Sequence, residues 1–198
     1  LGSGADDAGH LAWDFVELFS PSVGLSNAEL LGMYGELKVI DLSADTDLMA
    51  SGWHQHLDER YDFAWFGKRL EVKTTSGRSR SHTFSSNQLP PPAETHLEVA
   101  SLITETLQSG ETLVDAFASV YERLQEKEVR DRFRKVFFQF AKKDPLACER
   151  VGFDSALASK SLRIYQGRDI PCLDTQYPIT VATWTVDVTS LQNFRTAY

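Results

Sequence analysis

The sequence predicts an α+β fold with α/β-like character, in which a central mixed β-sheet is flanked by helices. Three observations carry that expectation. Residues 61–73 alternate apolar and charged side chains about a Gly67-Lys68 pair, the pattern of a β-hairpin. Residues 80–85, 96–107, 162–166 and 179–188 are rich in β-branched, aromatic and aliphatic residues between turn signals, and read as further strands. Residues 26–43, 112–124 and 126–143 carry apolar side chains at helical spacing.

Along the chain, residues 1–24 form an N-terminal segment, expected to be the remnant of a longer chain because it begins at Leu1 rather than Met. It also lacks a basic-then-apolar leader pattern. Residues 10–19 predict a short helix stopped by Ser20-Pro21. A single domain is expected over 25–198. Its first helix is capped by Ser26 or Asn27 and has a stripe of Leu30, Met33, Leu37 and Ile40. Glu36 sits at the edge of that stripe. Gly35 beside it costs helix propensity and admits a close neighbour. Residues 45–60 read as loop and contain His54-Gln55-His56, a weak metal motif. Pro90-Pro91-Pro92 is a stiff connection. Thr112 caps the second long helix, whose stripe is Leu113, Phe117, Val120, Tyr121 and Leu124. The third turns Val129, Phe133, Val136, Phe137 and Phe140 inward, and its basic outer face reads as a solvated surface.

The hairpin carries the candidate chemistry. With Gly67 and Lys68 as the loop, Ala64 faces Glu71 and Asp62 faces Lys73. Alternation then places Phe63, Trp65, Leu70 and Val72 on one face and Asp62, Ala64, Glu71 and Lys73 on the other. Opposed side chains lie roughly 5 Å apart and diagonal ones about 7–8 Å. A divalent cation can bridge two carboxylates so held, and magnesium takes one or two protein carboxylates while keeping several waters. Lys73 is then placed to orient water or to stabilise a phosphoryl oxyanion. The Glu-x-Lys pattern is not specific: Glu36-Leu37-Lys38 repeats it, and a surface salt bridge explains it equally.

Composition bounds the partners. The 198 residues carry a net charge of −8, which argues against a generic nucleic-acid binder. The charge is uneven: residues 1–62 hold twelve acids and two bases, whereas 63–82 hold five bases (Lys68, Arg69, Lys73, Arg78, Arg80) and one acid, Glu71. Basic side chains beside an acidic site suit a phosphate-backbone substrate, and a solvated loop suits them as well. Two cysteines, Cys148 and Cys172, make neither a disulfide framework nor a zinc site and fit a reducing compartment. No apolar run is long enough to span a bilayer.

The order of a helix with Glu36, a hairpin with Asp62 and Glu71-Val72-Lys73, more sheet, then helices resembles the PD-(D/E)XK nuclease superfamily. Further short motifs sharpen the likeness: Glu29-Leu30-Leu31-Gly32-Met33-Tyr34-Gly35-Glu36-Leu37, Trp53, Tyr61-Asp62-Phe63, Leu70-Glu71-Val72-Lys73-Thr74-Thr75, Gln88-Leu89 and Asp169-Ile170-Pro171-Cys172-Leu173. In this order, over roughly 25–190, they are similar to one bacterial family of PD-(D/E)XK members of unknown function. That family occurs beside DNA methyltransferase and ATPase genes, which implies restriction or phage defence.

The resemblance implies a restriction-endonuclease-like core. It makes Asp62 the first metal-binding acid, Glu71 the second, Lys73 the catalytic lysine and Glu36 a helix glutamate that helps hold the metal. Tyr61 stands where the superfamily name has proline. The expectation is a cytoplasmic, Mg2+-dependent DNA endonuclease, with Mn2+ as a substitute. Its catalytic residues are Glu36, Asp62, Glu71 and Lys73, and its substrate contacts are Arg78, Arg80, His82 and Gln88. Expected partners are DNA, methyltransferase or ATPase components of the same system, and a second copy of the chain, with no membrane. Two other classes stay open: a catalytically silent nuclease-like scaffold that binds DNA or a partner protein, and a small-molecule phosphohydrolase or RNA nuclease.

Overall fold

The protein is described from a computed structural model, which covers residues 24–54, 60–174 and 180–195. The expected helix at 10–19 and His56 lie outside them. Helix α1 (Asn27–Asp41) starts at a capping box in which Ser26 Oγ accepts from Glu29 N and Glu29 Oε2 accepts from Ser26 N. Each bond satisfies a donor that the helix start would leave orphaned. A short helix, α2 (Thr46–Gly52), follows, capped by Asp45 on Leu48 N. The 45–60 segment is therefore not all loop: one side-chain cap nucleates a seven-residue helix there.

The central sheet has the strand order β1-β2-β4-β7. These strands are β1 (Phe63–Trp65), β2 (Lys68–Thr75), β4 (His96–Ile103) and β7 (Arg163–Gln166). β2 and β4 run parallel while β1 and β7 pair antiparallel at the two edges, so the sheet is mixed. Strand β3 (Ser81–Ser85) leaves this sheet and pairs with β8 (Thr183–Asp187) over a separation of about a hundred residues. A third small pairing joins β5 (Thr106–Thr112) to β6 (Gly152–Phe153), so the expected long strand at 96–107 ends at Ile103 and the chain continues into a separate sheet.

Helices α3 (Leu113–Arg123) and α4 (Lys127–Ala141) follow the predicted stripes. Thr112 closes a second capping box with Asp115. Two short helices, α5 (Pro145–Arg150) and α6 (Ser155–Ser161), begin at Asp144 and Asp154, each of which accepts a backbone N–H at its helix start. Two cores lie on the two faces of the central sheet. One gathers Leu70, Val72, Ala100 and Leu102 with α1, α3 and α4, and Phe117 stacks on Phe137 at 4.3 Å within it. The other gathers Leu97, Val99, Tyr165 and Phe84, and Trp184 of β8 packs against it. Among the described residues, no helix is long and apolar enough to cross a membrane.

Candidate active site

The hairpin forms with its loop one residue earlier than the sequence suggests. Trp65 pairs with Lys68 and Phe63 with Leu70, so Phe66 and Gly67 make the turn. Gly67 takes the second central position with φ +70°, a conformation for which glycine has no Cβ penalty. Moving the loop by one residue shifts each cross-strand partner by two, and the faces are kept. Continuing the same register puts Asp62 opposite Glu71 rather than opposite Lys73. The Asp62 carboxylate accepts from Val72 N–H at 2.7 Å, which ties it to β2 beside Glu71.

Glu71 and Lys73 share a face of β2, and their Oε1 and Nζ atoms are 2.7 Å apart. Gln88 completes the unit: its Nε2 donates to Glu71 Oε1 at 2.5 Å and its Oε1 accepts from Lys73 Nζ at 3.4 Å. The second Glu-x-Lys pair behaves differently because it is helical, where residues two apart diverge. Lys38 turns to Asp41 and Glu111, at 2.9 and 3.1 Å. Glu36 instead meets Trp53 and His54, whose Nε1 and Nε2 each approach Glu36 Oε2 at 2.7 Å.

Packing explains how α1 reaches the site. A Cβ on Gly35 would come within 1.8 Å of Thr74 Oγ1, so glycine is what lets α1 lie this close to β2. The neighbouring Glu36 thereby reaches the carboxylates. Ligand atoms of Glu36, His54 and Asp62 all fall within 4.8 Å of one another.

The electrostatics are those of crowded acids. Burial pushes the Asp62 carboxyl well above its ordinary range, and the charges of Glu71 and Glu36 push it the same way, against the Val72 N–H and Lys73. Burial and the charge of Glu36 also raise Glu71, partly offset by Lys73 and Gln88. Glu71 Oε2 is buried with no hydrogen-bond partner. A buried lone carboxylate oxygen and like charges held together are both costly unless a cation joins them. Crowded carboxylates with an orphaned oxygen fit a divalent cation, but the donor atoms that converge are those of Glu36, His54 and Asp62. Glu71, expected as the second metal-binding acid, lies outside that group, with its Oε1 engaged by Lys73 and Gln88.

The other expected substrate contacts divide. Gln88 lies within the acidic unit, and Arg78 is exposed in the β2–β3 connection. His82 and Phe84 occupy the inward positions of β3, and Arg80, just before the strand, is buried on the same side. Arg80 Nη1 donates to Ser101 O and Oγ at 2.7 and 2.8 Å, and Arg80 Nη2 donates to Ser161 O. His82 Nε2 lies 2.7 Å from Ser101 Oγ. The rest of the basic block is also engaged: Lys68 with Glu98 at 3.2 Å, Arg69 with the Trp65 and Lys68 carbonyls, and Lys73 with Glu71. His54, flagged in the sequence only by a weak His-x-His motif, joins Glu36 and Asp62 in the acidic cluster.

A mixed four-stranded sheet with an acid pair on one hairpin, a lysine two residues on and a glutamate from a flanking helix is a nuclease-like fold. The chain belongs to the family described as "Putative PD-(D/E)XK family member, (DUF4420)", whose model matches residues 10–189. Neither the curated proteins nor the solved structures hold a significant match to it.

Proposed function

We propose that the protein is a Mg2+-dependent DNA endonuclease of restriction or phage-defence type, acting in the cytoplasm, with Mn2+ able to substitute. The observation that carries this reading is the unit of Glu71, Lys73 and Gln88, which adjoins the carboxylates of Asp62 and Glu36. When bound, a divalent cation supplies a Lewis acid for a phosphoryl oxygen and a more acidic water. Asp62 and Glu36 would hold it, with Glu71 beside them. Lys73 offers donors to the charge that develops on phosphorus-bound oxygen, or to the attacking water. Gln88 fixes the Glu71 and Lys73 side chains relative to one another. Arg78, exposed in the middle of the β2–β3 connection, is the base of the block that faces solvent and suits a phosphate contact. Cleavage of a duplex calls for two such centres, through a homodimer or methyltransferase and ATPase partners.

A second reading is a non-cutting scaffold that binds DNA or a partner protein. It is favoured by the net charge of −8 and by the engagement of Lys68, Arg69, Lys73 and Arg80 within the fold. Plasmid nicking in magnesium separates the two. Wild-type cleavage that is lost in both Asp62→Ala and Lys73→Ala supports the nuclease. Equal cleavage by all three proteins points to a contaminant, and no cleavage alongside retained DNA or partner binding supports the scaffold. Parallel assays on single-stranded DNA, duplex DNA and RNA define the substrate.

A further inference from the structure

We infer that His54 is a ligand of this centre, and that its imidazole shifts the site's preference from magnesium toward manganese and other first-row ions. The inference rests on the metal-site reading above and adds a nitrogen donor to a set otherwise made of carboxylates.

Two backbone features fix where His54 points. It follows Trp53, the residue that closes α2, and adopts φ +38°, in the left-handed region that a residue with a Cβ enters at a cost. Its N–H donates to the carbonyl of Asp62 at 3.0 Å, so a backbone hydrogen bond holds His54 beside Asp62. The ring then lies with Nε2 2.7 Å from Glu36 Oε2, inside the group of donor atoms that also includes Asp62.

A simple histidine–glutamate hydrogen bond accounts for that one contact. It does not account for the convergence. Glu36 Oε2 already accepts from Trp53 Nε1 at 2.7 Å. Indole N–H is a donor only, so Trp53 acts as the outer partner that orients the carboxylate of a ligand. Independently, Glu71 Oε2 stands buried without a partner in the neighbouring acid, and Glu71 and Glu36 both act on Asp62. A cation bound between the Glu36 and Asp62 oxygens and the His54 imidazole offsets the like charges gathered there. Imidazole suits iron, nickel, copper and zinc best, and manganese, the weakest binder of that first-row series, still accepts a nitrogen donor more readily than magnesium, which prefers oxygen and dehydrates reluctantly.

The test uses the untagged full chain with Mn2+ as the only added ion. Titration followed by electron paramagnetic resonance gives the affinity, and pulsed spectra report nitrogen coupling to the bound ion. Wild type is expected to bind Mn2+ with coupling from a histidine nitrogen. His54→Gln is expected to bind roughly 10–100-fold more weakly, at least the loss that an outer-shell partner causes. It should also lose the coupling and show a reduced preference for Mn2+ over Mg2+, with its thermal melt confirming the fold. A second protein with His10, His56 and His96 replaced must keep the coupling. Bound Mn2+ without nitrogen coupling in wild type, coupling that survives in His54→Gln, or coupling lost in the triple replacement overturns the role of His54 and leaves the carboxylate centre standing. No Mn2+ binding by wild type overturns both.

Discussion

Gln88 donates its side-chain amide to Glu71 Oε1 at 2.5 Å across 17 residues of sequence, and holds in place a buried carboxylate whose other oxygen has no partner. Because the same amide group accepts from Lys73, removing it frees both side chains. Gln88→Leu is therefore expected to lower metal affinity and nicking rate roughly 10–100-fold, the range for partners that orient ligands. Calorimetric titration with Mn2+ and initial nicking rates check this, and unchanged values would show that Gln88 does not position the unit.

Asp62→Asn is expected to abolish cleavage and to raise the melting temperature of the metal-free protein at pH 7. The folded-state pKa of Asp62 is raised, so the group favours the native state below its unfolded pKa and loses that contribution as pH rises through the folded value. At neutral pH, where the unfolded chain carries the charge freely, the group opposes folding. Asparagine still offers an acceptor to the Val72 N–H without the repulsion from Glu71 and Glu36. Calorimetric scans should show wild type and variant converging as pH falls, and a variant less stable than wild type at pH 7 would contradict the crowding.

Gly35→Ala places a methyl group against Thr74 Oγ1, where the ideal Cβ separation is 1.8 Å. Overpacking of this kind costs about 1–3 kcal/mol, more than the helix gains from alanine. Because α1 must shift, metal affinity should fall along with stability. Thr74→Ala removes the clashing oxygen, and the double variant should recover part of both losses. Additive effects in that cycle would mean that the two residues do not interact.

His82 supplies an acid-side instability. Burial, with the charges of Lys73 and Arg80, lowers its pKa to about 4 from an ordinary value of 6.5. Arg80 donates to Ser101 Oγ, which leaves the hydroxyl proton for an unprotonated His82 Nε2. Between those pH values the unfolded chain binds the proton and the native one does not, so stability falls as pH drops from 6.5 to 4. The contribution is at most ~3 kcal/mol. Asp62 and Glu71 titrate in the opposite sense, so the effect is read as a difference: urea midpoints of His82→Gln should fall less than those of wild type between pH 7 and pH 4.5. Parallel declines would remove His82 from the account.

Elements governed by local rules were legible in the sequence. Ser26 and Thr112 cap the helices they were expected to cap, and the Leu30, Phe117 and Phe137 stripes lie inside. The hairpin's two faces survived an error in its loop because a shift of two residues preserves parity. What depended on distant chain was not legible. β3 was visible as a strand, but its partner is β8, far along the sequence, so its place outside the central sheet could not be read locally. The basic block counted charges without directions: Arg80, in step with the inward His82 and Phe84 of β3, turns into the fold. The short helices after Asp45, Asp144 and Asp154 had their caps in plain view but too few residues for a periodic stripe. Within the site, Asp62, Glu71, Lys73 and Glu36 were all named from sequence. His54 joined them only through a left-handed backbone turn, which its composition does not announce.

Anomalous diffraction from crystals soaked in manganese tests the central claim most directly. The account predicts a peak within ligand distance, about 2.0–2.3 Å, of the Asp62 carboxylate and in reach of Glu36 or Glu71, lost in Asp62→Asn. Saturating manganese with no peak at Asp62, or a peak there that persists unchanged in Asp62→Asn, would contradict it.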